Sequence, residues 1–190
     1  MRRIVPLATL ALVLAGCAGS SESALTPEVA ARLDALDAAV EAWSSATSVG
    51  DAHQAAEEAR NLVVGPAGPL YGDADRDGLI EGETGQGLLP GLDGSPGIVA
   101  EPAANACVER DVLGGSWEQP EARWDEALAA IDAWEPEGNT FPSLPSHPQR
   151  TVGWASLTLA TDDLDTAVEY AGHARLHVDV TRAAFDDCDG

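Results

Sequence analysis

Residues 26–46 read TPEVAARLDALDAAVEAWSSA, and the spacing of the apolar residues in this segment indicates the fold class. Thr26 is a preferred helix N-cap residue, and Pro27 suits the first helical position, where its missing N–H costs no hydrogen bond. The large apolar residues recur at intervals of four, three, four and three, on one helix face: Val29, Leu33, Leu36, Val40 and Trp43. The segment therefore predicts an amphipathic helix that runs to about Ala46 and buries one side.

A second helical pattern follows and predicts a partner for the first helix. It runs from Val49 to Val64 and is stopped by Gly65-Pro66. Because only a few residues connect the two helices, they should form an antiparallel hairpin.

The last forty residues predict a second hairpin. Residues 150–160 are apolar nearly all round and predict a buried helix, and residues 161–186 predict a longer helix with an acidic cap. The arginines of this last helix, Arg175 and Arg182, should each pair with an acid four residues further along. The chain is therefore predicted to be all-α, with two antiparallel helical hairpins packed as a bundle.

A Gly-rich insertion separates the two hairpins. Twelve of the 19 glycines and five of the 12 prolines fall in residues 65–115, where no helical or alternating period is present. A third helix is predicted over residues 116–134, and a Pro-rich extended connection follows over residues 135–148. Such a long irregular segment in a compact domain requires something that orders it. We expect the insertion and the third helix to lie across one end of the bundle.

The charge balance excludes several classes of function. The chain has 32 Asp and Glu against 10 basic residues, all of them Arg, and its net charge is -22. Nucleic acids and anionic lipid surfaces require clustered positive charge, so neither is an expected partner. Without lysine, Schiff-base chemistry and a Walker-type phosphate loop are excluded as well.

The N-terminus has the three parts of an export signal: a charged start, an apolar run over residues 4–14, and small residues up to Cys17. The segment Leu14-Ala15-Gly16-Cys17 resembles the lipobox of bacterial lipoproteins. That resemblance implies cleavage before Cys17, lipidation of its thiol, and a mature protein anchored by lipid to the cell membrane on its extracytoplasmic side. The expected organisation is a signal peptide over 1–16, a flexible tether over 17–24 and a single helical domain over 25–190.

The strongest internal motif lies in the insertion, where residues 73–83 read DADRDGLIEGE. Three Asp at alternate positions followed by Gly resemble the first half of an EF-hand calcium loop, in which alternate oxygens converge on one cation and the Gly allows a sharp turn. The resemblance implies one calcium ion and these ligands: Asp73, Asp75, Asp77, the backbone carbonyl of Leu79, Glu81 and Glu83.

The motif departs from the EF-hand pattern at its end, because Thr84 occupies the position where the family has a bidentate Glu. No helix-forming sequence precedes the loop either, so a solitary variant loop is the closer likeness. The alternative is an acidic turn that binds nothing. Repulsion disfavours it, since five carboxylates within eleven residues destabilise the fold unless a cation neutralises them.

Histidines form a second candidate metal site. His173 and His177 lie one helical turn apart, and with His147 they could bind zinc, copper, iron or haem. Both should point away from the helix face that carries Leu164 and Val178. The alternative is a set of buried, hydrogen-bonded histidines with a structural role.

Two cysteines remain after Cys17, and in an exported chain Cys107 and Cys188 should form a disulfide. Free buried thiols and metal ligation are the alternatives.

The absence of catalytic patterns favours a binding or structural role over an enzyme. No Ser lies in a Gly-x-Ser-x-Gly turn, and no Gly-rich phosphate loop follows a strand pattern. We therefore expect a lipid-anchored exported protein with a calcium-stabilised helical domain that acts at the cell surface. Its partners would be the membrane, through the lipid, and a protein or small molecule that the sequence does not specify. The alternative function is a transition-metal or haem protein, or a metalloenzyme, built on His147, His173 and His177.

Overall fold

The computed structural model describes residues 25–99, 103–134, 144–186 and 188. Within these residues the chain is all-helical, with five α-helices, one π-helix and no strand, which confirms the predicted fold class. The helices are α1 (Pro27–Ser44), α2 (Val49–Val64), the π-helix (Val108–Leu113), α3 (Pro120–Asp132), α4 (His147–Thr158) and α5 (Leu164–Asp186).

Helix α1 forms as the apolar spacing predicts. The hydroxyl of Thr26 accepts the N–H of Val29 at 3.2 Å and so caps the helix start. All five residues of the predicted stripe are buried in the core. The indole N–H of Trp43 donates to the carbonyl of Ala167 at 2.8 Å, so the end of α1 is joined to the first turn of α5.

Helices α1, α2, α4 and α5 form a four-helix bundle. Helix α1 packs against α2 and α5, and α4 packs against the same two helices from the opposite corner. Arg182 near the end of α5 contacts Asp34 near the start of α1 at 2.8 Å, and His53 near the start of α2 lies 2.9 Å from the carbonyl oxygen of Thr161 beyond the end of α4. Neighbouring helices are therefore antiparallel, as short connections favour.

The arginines of α5 pair across the bundle and not along their own helix, so the predicted pairs four residues apart are wrong. Arg182 contacts Asp34 and Asp37, and Arg175 contacts Asp37 and Glu41. Helix α1 turns these three acids towards α5, and they reach the guanidinium groups across the helix interface.

The first part of the insertion packs against the end of α2. Leu88 and Leu89 are fully buried, and the N–H of Leu88 donates to the carbonyl of Leu62 at 3.2 Å. A Cβ atom at Gly87 would lie 2.4 Å from the carbonyl oxygen of Val64, so only glycine allows the insertion to approach the helix this closely.

The insertion contains one helix that its composition does not predict. Val108–Leu113 forms a π-helix that ends at Gly114, whose φ of 66° is in the left-handed region. Its buried residues are Val108, Val112 and Leu113, and the π-helix packs against α4 and α5. The expectation of a helix-free insertion is therefore wrong.

Two predicted helix starts are also wrong. Helix α3 begins at Pro120, four residues later than predicted, and the proline occupies its first turn. Helix α4 begins at His147, three residues earlier than predicted, because Ser146 caps it and accepts the N–H of Gln149 at 3.4 Å. His147 is thus the first residue of a helix and not part of the Pro-rich connection, of which residues 135–143 lie outside the described part of the chain.

Across the described ranges, none of the helices combines the length and the apolar character that crossing a membrane requires.

Candidate metal centre

Residues 72–81, which we call the acidic loop, lie beside α2 and fold around their own aspartates. One oxygen of each Asp accepts a backbone N–H: Gly78 donates to Asp73 at 3.1 Å, Asp77 to Asp75 at 3.1 Å, and Leu79 to Asp77 at 2.8 Å. Gly78 has a φ of 93°, a conformation that favours glycine at the turn. The second oxygen of each Asp accepts no hydrogen bond from any described residue, so all three aspartates keep an oxygen for a ligand.

Three acids from two elements converge at this loop. One carboxylate oxygen each from Glu57, Asp73 and Asp75 lies within 4.8 Å of the other two. Among the described residues, this is the only group of three or more His, Cys, Asp or Glu close enough to share a metal ion. Glu57 belongs to α2, and the sequence motif did not include it.

The carboxylate of Glu57 is fully buried and accepts hydrogen bonds from the acidic loop. Its Oε2 accepts the N–H groups of Ala74 and Asp75, the latter at 3.2 Å. Its Oε1 accepts the N–H of Glu81 at 3.0 Å and contacts the side-chain amide of Asn61 at 3.5 Å. A carboxylate has about four lone-pair sites, and the three backbone N–H groups occupy three of them.

Asn61, one turn further along α2, joins the two ends of the acidic loop. Its side-chain oxygen accepts the N–H of Gly72 at 3.1 Å. Its side-chain nitrogen donates to the carbonyl of Gly72 at 3.2 Å and to the carbonyl of Glu81 at 2.8 Å. Asn61 is fully buried, so its amide is used for holding the backbone of the loop and not for contact with solvent.

The remaining predicted calcium ligands are not drawn together, and among them Asp77 lies outside the group that Glu57, Asp73 and Asp75 form. The side chain of Glu81 accepts a hydrogen bond from Gln54 on α2 at 2.8 Å, while Glu83 is exposed and Leu79 is 58% exposed. Thr84, which replaces the last EF-hand ligand, accepts a hydrogen bond from Arg32 of α1. The loop thus resembles an EF-hand in its first half only.

Electrostatics around the acidic loop reflect crowded negative charge. Burial and the nearby Glu81 carboxylate raise the pKa of Glu58. Arg60 is only 6% exposed, and burial lowers its pKa, although the negative charge of Glu57 acts in the opposite direction. Arg60 is therefore the cation that α2 contributes near the acids, and it lies buried near Glu57.

The three candidate histidines do not form one site. The Nδ1 atoms of His147 and His177 lie 3.0 Å apart, but the ring of His173 stacks on Trp154 at a centroid distance of 4.2 Å. His177 is buried and contacts His147 at the start of α4. The described residues place no third metal-binding side chain with the pair, and the transition-metal or haem alternative stays a prediction.

Burial disfavours the charged form of both histidines of the pair. Burial lowers the pKa of His177 to about 3, and His147, Arg150 and His173 act in the same direction. Burial and Arg150 also lower the pKa of His147, although the charge of Asp111 in the π-helix opposes them. A hydrogen bond between two neutral rings satisfies both Nδ1 atoms, which is the structural alternative that the sequence left open.

Cys107 and Cys188 lie at disulfide distance, with Cα atoms 5.6 Å apart. The pair joins the residue before the π-helix to the chain just beyond α5. The lipobox, including Cys17, falls in residues 1–24, outside the described part of the chain.

Comparison with known proteins gives no match, since no family model, no curated protein and no solved structure is detectably similar to this chain.

Proposed function

We propose that this chain is a lipid-anchored exported protein whose helical bundle carries one calcium ion in the acidic loop, and that it has a binding or structural role at the cell surface. The membrane is its first partner, through the lipid on Cys17, and a protein or small molecule is the second. The lipobox segment and the apolar run before it support the anchoring.

The free oxygens of Asp73 and Asp75 carry the calcium part of the proposal, because these two residues belong to the one group of acids, among the described residues, that is close enough to share a metal ion. Asp73, Asp75 and Asp77 each spend one oxygen on the backbone of the loop and keep the other. Calcium prefers carboxylate and carbonyl oxygens in flexible geometry, and two carboxylates with backbone carbonyls and water can complete its shell. An exported domain can use a weak site of this kind because calcium is abundant outside cells.

The net charge of the chain also supports a calcium ion in the acidic loop. With a net charge of -22, additional acids concentrated in one loop repel each other and the rest of the surface. A divalent cation removes that repulsion locally, so calcium should stabilise the folded state.

Thermal unfolding with and without calcium tests this proposal. For a dissociation constant of roughly 0.1–1 mM, 10 mM calcium should add about 1.4–2.7 kcal/mol to the free energy of unfolding. The Tm should rise by roughly 3–10 °C for a domain of this size. Asp73→Ala should abolish the rise, whereas Asp125→Ala on the exposed face of α3 should keep it. No shift of the wild-type Tm at 10 mM calcium would overturn the calcium site.

Membrane anchoring is tested separately with Cys17→Ser. The wild-type chain should fractionate with membranes and gain the mass of a lipid, and the variant should lose both. Wild-type protein that fractionates without lipid would contradict the anchoring.

A further inference from the structure

We propose that Glu57 and Asn61 are positioning residues that hold the acidic loop in its cation-binding conformation before the cation arrives. The inference deepens the proposed function and rests on it for the calcium affinity, while the order of the loop without calcium can be measured independently. Neither residue belongs to the calcium motif, because both come from α2.

Glu57 acts on the backbone of the loop. Its two oxygens already accept N–H groups from Ala74, Asp75 and Glu81, and Asn61 contacts one of them. Three of its four lone-pair sites are therefore occupied by the backbone of the loop in this conformation. Its carboxylate fixes the backbone beside Asp73 and Asp75, whose free oxygens are the ligands.

Asn61 closes the loop at its base. It holds both backbone groups of Gly72 at the entrance and the carbonyl of Glu81 at the exit. The spacing of Glu57 and Asn61, four residues apart on one helix, places both side chains on the same face of α2. Two fully buried side chains on a packed helix thus restrain ten residues of loop.

This arrangement affects affinity because a loop that is already ordered loses little conformational freedom when it binds. If the binding conformation is only a fraction of the free population, the apparent affinity falls by that fraction. Removal of a buried acceptor leaves its donors without partners, and the loop would then open to satisfy them with water.

Glu57→Gln in the full chain tests the inference, with Glu58→Gln as the matched control. Both variants remove one negative charge at adjacent positions, but the Glu58 side chain makes no hydrogen bond to the acidic loop. In calcium-free protein, the amides of Ala74, Asp75 and Glu81 should exchange with solvent about tenfold faster or more in Glu57→Gln, and at the wild-type rate in Glu58→Gln. Calcium affinity should fall about tenfold or more in Glu57→Gln, and saturating calcium should restore the wild-type exchange pattern.

Several outcomes would overturn the inference. Unchanged exchange at the three amides in Glu57→Gln shows that the loop is not held by this residue. An equal loss of affinity in Glu58→Gln shows that charge alone is responsible. If wild-type protein binds no calcium at 10 mM, the proposed function fails, whereas the exchange measurement still decides whether the loop is held. If helical circular dichroism shows that Glu57→Gln does not fold, Asn61→Ala is measured in its place. Its expected results are faster exchange at the amide of Gly72, whose N–H donates to Asn61, and a similar loss of calcium affinity, and an unchanged Gly72 amide would overturn the inference.

Discussion

The two halves of the insertion are attached to the bundle by different means. The first half, which includes the acidic loop, is held by hydrogen bonds from buried side chains of α2. The second half, which includes the π-helix, packs against α4 and α5, shares hydrogen bonds with Ala184 and Ser146, and is tied covalently by the pairing of Cys107 with Cys188. A disulfide in an oxidising compartment is a permanent tie, whereas hydrogen bonds to a charged loop respond to whatever changes that charge. We therefore expect the first half to respond more strongly than the second half to a change in the charge of the acidic loop.

The two halves also bury polar groups differently. Under the first half, the Glu57 carboxylate is fully buried, and backbone N–H groups stabilise it. Beside the second half, His147 and His177 contact each other, and burial keeps both neutral. One half therefore depends on a buried carboxylate with donors, and the other on buried bases without charge. Different changes in sequence or pH should therefore destabilise each half.

Removal of the disulfide should have the largest effect. Cys107→Ser with Cys188→Ser opens a link across 81 residues, and the chain-entropy model gives a loss of roughly 4–5 kcal/mol in the free energy of unfolding. Denaturant unfolding measures the loss. Amide exchange should accelerate in the π-helix and not at Ala74 or Asp75. Equal acceleration in both halves would show that they are one cooperative unit.

Asn61→Ala should have the next largest effect and should act on the first half. The variant loses three hydrogen bonds to Gly72 and Glu81, at about 1 kcal/mol each, so the expected loss is about 3 kcal/mol. Gln54→Ala is the control, because it removes one exposed bond to Glu81 and should cost less than about 1 kcal/mol. Denaturant unfolding measures both variants. Accelerated exchange in the π-helix of Asn61→Ala would contradict the separation of the two halves.

The bundle could be predicted because its determinants are local. The spacing of Val29 and the four other apolar residues of α1 predicts one buried face, and all five residues are buried. Thr26 predicts the start of α1 correctly, because it is the N-cap residue of that helix. The π-helix was missed because its formation depends on packing against α4 and α5, which come later in the chain.

The acidic loop could be predicted only in part. Its aspartates form a motif within five residues, but Glu57 and Asn61 contact the loop from 11 to 24 positions away in the chain. On α2 these polar residues lie off the Ala52 and Ala56 face and are typical of a solvent-exposed surface, so no local pattern indicates that they are buried. The acidic loop buries these two residues, and its own sequence has no helical or alternating pattern that would predict where it packs. The histidine contacts likewise join elements that are distant in the chain, since His173 of α5 stacks on Trp154 of α4.

Mild acid should weaken the second half, with a smaller effect. The pKa of His177 is about 3 in the folded protein, below the ordinary value of 6.5, so the unfolded chain takes up the proton first. The contribution of His177 to stability is therefore fully present above pH 6.5 and declines as the pH falls towards 3. Between pH 7 and pH 5 the expected loss is about 2 kcal/mol.

His177→Asn isolates this contribution, because its amide can replace Nδ1 in the contact with His147 and does not titrate in this range. The carboxylates titrate alike in both proteins, so the difference between their pH profiles reports His177. Denaturant midpoints at pH 7 and pH 5 should differ more in wild type than in the variant, and acid should accelerate exchange in the π-helix before it does so at Ala74 and Asp75. Parallel pH profiles would show that the buried pair does not resist protonation, and the contrast between a charged and a neutral half would then fail.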